Sequence, residues 1–140
     1  GFGSDSNVHI SLFDELKTLE YSQRLRDKSR AALATSDHST GRVLFEAALE
    51  GGAQAGLRDN GVLMEGKLAD IVAVDLNNEW GANRSGDMAL DTLIFGGNGQ
   101  RCIREVWSAG RHVVKQGRHI ARAKITDAFI ATMAELEQNI

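Results

Sequence analysis

Apolar residues along this chain follow two different rhythms. Leu12, Leu16 and Leu19 recur at i, i+4 and i+7, with Leu25 further along the same run, which predicts an amphipathic helix. Ser11 is placed to cap it, and Asp14 and Glu15 fall early, where the helix dipole favours anions. Arg24, Arg26, Lys28 and Arg30 read as a solvated cationic face toward its C-terminal end. The polar stretch Thr35 to Thr40 ends this helix and supplies caps for the next. There Leu44, Ala47 and Ala48 predict a small-residue helix that stops at Gly51-Gly52.

After about Leu57 the rhythm becomes strand-like. Ile71 to Val74 is a β-branched run bounded by Asp70 and Asp75, and Thr92 to Phe95 is a second apolar run, closed by Gly96-Gly97-Asn98-Gly99. Ile103 to Ser108, Arg111 to Val114 and Arg118 to Ala121 are short segments separated by Ala109-Gly110 and Gln116-Gly117, the spacing of a β-meander with tight turns. Phe129, Met133, Leu136 and Ile140 then mark a closing amphipathic helix, with Thr126 or Asp127 as its cap. Ahead of the first helix, Gly1 to Ser4 reads as the end of a short buried strand and Asp5 to Ile10 as the loop after it. The order is strand, helices, small antiparallel sheet, closing helix: an α/β chain with its joint at Leu57 to Gly66.

At 140 residues, 42% hydrophobic and 25% charged, the chain holds enough apolar material for a core, in one ordinary domain or pieces of two. A formal charge of -3 and a pI near 5.8 speak against nucleic acid or an acidic membrane surface as partner. No run approaches the ~18 apolar residues of a membrane span. The single cysteine, Cys102, excludes an internal disulfide and fits a reducing, cytoplasmic setting. The chain opens on Gly1-Phe2-Gly3, without Met or a signal-peptide pattern, and reaches a functional-looking loop within a few residues, so its N-terminus reads as cut.

The candidate chemistry is sparse. Asp5, within Gly3-Ser4-Asp5-Ser6-Asn7, sits where a buried strand would open into a loop, the place where parallel α/β barrels keep reactive groups. A carboxylate there can bind a metal and take a proton from the metal's water. It can equally cap a turn with Ser4 and Ser6. His9, His38, His112 and His119 have neither the His-x-His nor the His-x-x-x-His spacing of zinc enzymes and read as structural, although His9 could line the same mouth as Asp5. The glycine-rich stretches lack the Lys-Ser/Thr of a phosphate loop and read as turns. Cys102 has no paired base and reads as a small buried hydrophobe.

Phe2 to Asp27 resembles the segment after the eighth barrel strand of formimidoylglutamate deiminases, members of the amidohydrolase superfamily. The matching features are Gly3-Ser4-Asp5-Ser6-Asn7, Phe13-Asp14-Glu15-Leu16, Leu19-Glu20-Tyr21 and Gln23 to Asp27. Downstream, Gly41-Arg42, Gly51-Gly52-Ala53, Gly61 and Gly66 to Val72 resemble the superfamily's link from barrel to small β domain. Val106 to Gly117 resembles that domain's closing hairpin. The resemblance implies the C-terminal end of a metal-dependent (β/α)8 barrel, residues 1–56. Part of a small β-sandwich domain, 57–123, and a C-terminal helix, 124–140, would follow.

It also implies a mechanism. One divalent ion, typically zinc, would be held by a His-x-His pair, a further histidine and Asp5, with Asp5 also orienting and deprotonating the attacking water. Water would add to the formimino carbon of N-formimino-L-glutamate and ammonia would leave, giving N-formyl-L-glutamate in histidine breakdown. The histidine ligands and the cations for the substrate's carboxylates would precede residue 1, and a whole barrel needs at least ~200 residues. The resemblance therefore implies a partner in the missing N-terminal barrel portion, a cytoplasmic homodimer when complete, an inactive isolated chain and weak zinc binding by it. Two other readings stand beside this one: a guanine, cytosine or cyclic amidine deaminase of the same superfamily, or a non-catalytic β module for packing or oligomerisation.

Overall fold

The computed structural model describes residues 1–77 and 81–138. In chain order they form α1 (Leu12–Asp27), α2 (Thr40–Gly56), β1 (Ile71–Val74), α3 (Gly86–Phe95), the single turn α4 (Gly99–Cys102), β2 (Ile103–Ser108), β3 (Arg111–Lys115), β4 (Arg118–His119) and α5 (Arg122–Glu137). No helix among the described residues is long and apolar enough to cross a membrane.

The first helix begins as its sequence predicts. Ser11 is extended and buried, and its hydroxyl accepts from the Asp14 amide at 3.3 Å. Lys28, in the left-handed conformation, ends the helix. Ser39 caps α2 through the Arg42 amide. The glycine pair does not stop α2: the helix runs through Gly51-Gly52 to Gly56 and ends on a left-handed Leu57. Gly51 instead makes room for backbone, since a Cβ there would lie 2.8 Å from the Gly1 nitrogen.

Two sequence expectations are corrected. Gly1 to Ser4 runs as coil and pairs with no strand among the described residues. A strand exists only through hydrogen-bonded neighbours, and the sheet lies elsewhere. Thr92 to Phe95 is the last turn of α3, not a strand. Leu93 and Ile94 recur at i+3 and i+4 from Leu90, and that helical spacing buries both. This helix packs on α1 and α2, so Ile94 joins Leu16 and Leu44 in the one fully buried apolar cluster among the described residues. Phe2, Phe13, Leu19, Phe45 and Phe95 surround it.

The meander is as expected, except that its last strand stops at His119 instead of Ala121. The sheet order is β1-β2-β3-β4, antiparallel throughout, with Val72 opposite Val106, Val106 opposite Val114 and Val114 opposite His119. Both hairpin loops have two residues, and all four have positive φ: Ala109 48°, Gly110 77°, Gln116 51° and Gly117 74°. Such turns match the strands' own twist. The closing helix starts at Arg122, ahead of both expected caps, and neither Thr126 nor Asp127 caps it; Ala121 precedes it without a side-chain bond. Ile140, expected on that helix, lies outside the described residues.

The chain is open. Its accessible surface is 10212 Å² for 15.2 kDa, whereas a compact monomer of that mass exposes about 7,100 Å².

Candidate functional site

Asp5 stands on the loop that leads into α1, at the second position of a turn closed by the Asn7 amide on the Ser4 carbonyl, 2.8 Å. It is exposed and left-handed, with φ 48°. That conformation costs most residues energy but is tolerated by aspartate and asparagine. Its carboxylate makes no hydrogen bond or ion pair among the described residues. The turn is real, then, but the Asp5 side chain does not hold it together.

His9 does not join Asp5. Its Nε2 lies 2.9 Å from the Asp14 carboxylate, and its amide donates to Asn7 Oδ1 at 3.2 Å. Lys17 reaches the other Asp14 oxygen at 2.5 Å. With Lys17, His9 and the Ser11 hydroxyl all bonded to it, in that order of effect, the Asp14 carboxyl is lowered to about 2. His9 and Asp14 form one wall of a cleft of about 230 Å³, whose other wall is Gly97 to Arg101; Asp5 is not part of it. Sequence spacing had suggested a shared mouth. The intervening N-cap turns His9 toward the helix instead.

The other histidines lie on separate elements. His112 stacks on Trp107, ring centroids 4.5 Å apart, with Nε2 2.6 Å from Glu105. His119 lies exposed on the edge strand β4 and accepts from the Ala121 amide, and His38 is exposed on the loop before α2. Cys102 is buried at the end of α4, next to β2.

The residues that carry the sequence resemblance mostly hold the fold. Glu20 has no exposed surface, and its carboxylate accepts from Arg24 Nε at 2.7 Å and from the amides of Ala32 and Leu33 at 2.8 and 3.1 Å. Asp91 accepts from the Ser39 hydroxyl and the Gly41 amide, while Asp87 takes the Ser39 amide and Arg42 Nε. Those bonds, the Ser39 amide first, hold the Asp87 carboxyl below its usual range. Gly41 is needed there, because a Cβ would come within 2.5 Å of Asp91 Oδ1. Asp70 ties the loop before β1 to the first hairpin turn, accepting from Asn60 and from the Ala109 amide, which keep its carboxyl low. The Asp87–Asp91 pair was not singled out from sequence, because only the end of that helix, Thr92 to Phe95, stood out, as a strand-like run. The pair's i, i+4 spacing, one helical face, was the available signal.

Among the described residues no group of three or more His, Cys, Asp or Glu converges as a metal site requires. Asp5 is a single donor on an open turn, so these residues do not by themselves fit a divalent ion.

The Amidohydrolase family profile matches residues 1–113. A formimidoylglutamate deiminase from Pseudomonas aeruginosa is 44% identical over 137 residues, which is 97% of this chain and 30% of that protein. The crystal structure of an amidohydrolase from Brucella melitensis superposes with a TM-score of 0.84 at 42% identity, covering 96% of this chain and 29% of that one. The chain thus spans about a third or less of the relatives it matches, at a similarity that reaches both helical part and sheet. It belongs to the amidohydrolase family.

Proposed function

We propose that this chain is the C-terminal portion of a hydrolase that deiminates N-formimino-L-glutamate to N-formyl-L-glutamate and ammonia. The observation that carries the reading is the 44% identity to a protein named as a formimidoylglutamate deiminase, sustained over 97% of this chain. The open surface agrees with a chain that packs on further parts of the enzyme. On this reading residues 1–56 close a barrel, 57–123 contribute to a small β domain and 124–140 form the terminal helix.

Asp5 is the residue of this chain proposed to reach the chemistry. It stands on an exposed turn, in a left-handed conformation that aspartate tolerates, with a carboxylate that makes no hydrogen bond or ion pair among the described residues. A carboxylate so placed is open to groups that the rest of the enzyme would bring. In the whole enzyme Asp5 would be one ligand of a zinc ion whose remaining ligands come from outside this chain. In the reaction the attacking water gives up a proton as its oxygen bonds to the formimino carbon. The C–N bond to the leaving nitrogen then breaks, and that nitrogen departs as ammonia after gaining a proton. Asp5 is suited to receive the first of these protons.

The test is ammonia release by the whole enzyme, with N-formimino-L-glutamate set against guanine, cytosine and a cyclic amidine. The linear substrate should be turned over fastest, and this chain alone should release none. Asp5→Asn keeps the turn, because asparagine accepts the same backbone, and should lower turnover roughly 10²-fold or more. Near-normal turnover by that variant would remove Asp5 from the chemistry, and preference for a ring substrate would overturn the substrate assignment.

A further inference from the structure

The loop that carries Asp5 has almost nothing apolar to stand on within this chain. From Asp5 to Ile10 no residue is buried, and the two aliphatic side chains, Val8 and Ile10, are 98% and 76% exposed. A surface loop without packing keeps its shape through hydrogen bonds. Here those bonds form an unbroken series. The Asn7 amide closes the turn around Asp5 on the Ser4 carbonyl at 2.8 Å, and the Asn7 Oδ1 accepts from the His9 amide at 3.2 Å. The His9 ring then meets the Asp14 carboxylate, Nε2 to Oδ2, at 2.9 Å. Asp14 belongs to the first turn of α1, and Lys17 holds its other oxygen at 2.5 Å. A further tie to the loop, from Gln100 Nε2 to the Ile10 carbonyl, is 3.4 Å and so weak.

A carboxylate offers only acceptors, so the proton in the His9–Asp14 contact sits on Nε2, and a neutral imidazole is a sufficient donor. Asp14 is the rigid end of the series: its amide bonds to the Ser11 cap and its side chain to Lys17. Among the described residues, His9 supplies the side chain that ties residues 5–10 to it. We propose that His9 is a positioning residue, which moors the Asp5 turn to α1 through Asp14 and so holds the Asp5 carboxylate in place for the reaction. The proposal rests on the reading of Asp5 as the residue that receives a proton from the attacking water. His9 makes no bond to Asp5 itself, and the role requires no contact with substrate. An exposed contact of this kind adds little to global stability. Its effect falls on the placement of one turn, where an error of ~1 Å can cost about 10²-fold in rate.

Steady-state ammonia release by the whole enzyme, with N-formimino-L-glutamate, tests this. His9→Ala should lower kcat about tenfold and leave KM within about twofold, because a loosened turn still visits the productive position and substrate binding does not depend on it. Asp14→Ala should do the same. The double variant His9→Ala/Asp14→Ala should be no slower than either, since the two residues are links of one series. His9→Gln, whose amide nitrogen can stand in for Nε2, should recover most of the rate. In an Asp5→Asn background, His9→Ala should change the remaining rate by less than about twofold, because the group it positions is already gone. A normal kcat for His9→Ala would overturn the proposal. So would additive losses from His9→Ala and Asp14→Ala, a His9→Gln variant as slow as His9→Ala, or a full tenfold loss persisting beside Asp5→Asn. Near-normal turnover by Asp5→Asn alone is a different failure: it removes the reading of Asp5, and the positioning role falls with it.

Discussion

Glu20 and Asp5 are both carboxylates within the segment that carries the narrow family resemblance, and their surroundings separate them completely. Glu20 is fully enclosed and bonded to a guanidinium and two amides; Asp5 is exposed and bonded to nothing among the described residues. The Glu20 guanidinium partner, Arg24, is itself held over the rings of Tyr21 and Phe95 at 5.3 and 5.6 Å. Glu20→Ala would leave two loop amides and that guanidinium without their acceptor, and should cost about 3 kcal/mol in urea unfolding. A loss below about 1 kcal/mol would mean that other contacts hold the loop. Nothing local signals this role, because the amide partners lie 12 and 13 residues on. Ser11, by contrast, was legible as a cap, since its partner is three residues away. The same rule governs the candidate site: the position of Asp5 on a loop could be read, while the turning of His9 toward Asp14 depended on how helix and loop meet. Gly41→Ala belongs at this scale too. Its methyl would collide with Asp91, so stability should fall by about 1–3 kcal/mol, the usual cost of overpacking, and an unchanged melting temperature would disprove the contact.

At the scale of elements, short-range information was enough for the meander and too little for α3. Two-residue loops with a glycine second define a hairpin by themselves, and both were placed from sequence. The α3 segment ends in Thr-Leu-Ile-Phe, residues at home in strands, and these outweigh the helical spacing of Asp87 and Asp91 until its packing on α1 and α2 is seen. Tertiary contact decided there. The hairpin loops also carry a correctable flaw, because Ala109 and Gln116 take positive φ that asparagine adopts more readily. Ala109→Asn and Gln116→Asn should each stabilise the sheet by about 0.5 kcal/mol. The Ala109 amide, which donates to Asp70, is kept in the variant. Thermal melting of the single variants and the pair tests this. A lowered midpoint would mean that the native side chains make contacts worth more than the backbone relief.

For the whole molecule, the small core and the large open surface shift the burden onto polar ties between elements. Asp14 joins the N-terminal loop to α1, Asp87 joins α3 to α2, and Asp70 joins the loop before β1 to the first hairpin turn. Glu105 joins β2 to β3 and to the second turn, through His112 and the Gln116 amide. All four carboxyls are lowered in the folded chain: Asp14 to about 2, chiefly by Lys17; Asp70 by Asn60; Asp87 by the Ser39 amide; Glu105 by the Gln116 amide. An unfolded chain returns them to about 4, so between these values it binds more protons than the folded one. Their contribution is therefore complete above about pH 5 and is lost as pH falls below about 4, for Asp14 toward about 2. Because the four ties span both the helical part and the sheet, acid should loosen both together. The melting temperature should be nearly flat from about pH 6 to 8 and should drop steeply below about pH 4. Asp87→Asn should lower it at neutral pH and flatten the acid limb, since a group that no longer titrates cannot add to the slope. A melting temperature at pH 3 equal to that at pH 7, on a chain still folded by circular dichroism, would show that these carboxylates are bystanders and that the apolar cluster of Leu16, Leu44 and Ile94 carries the fold alone.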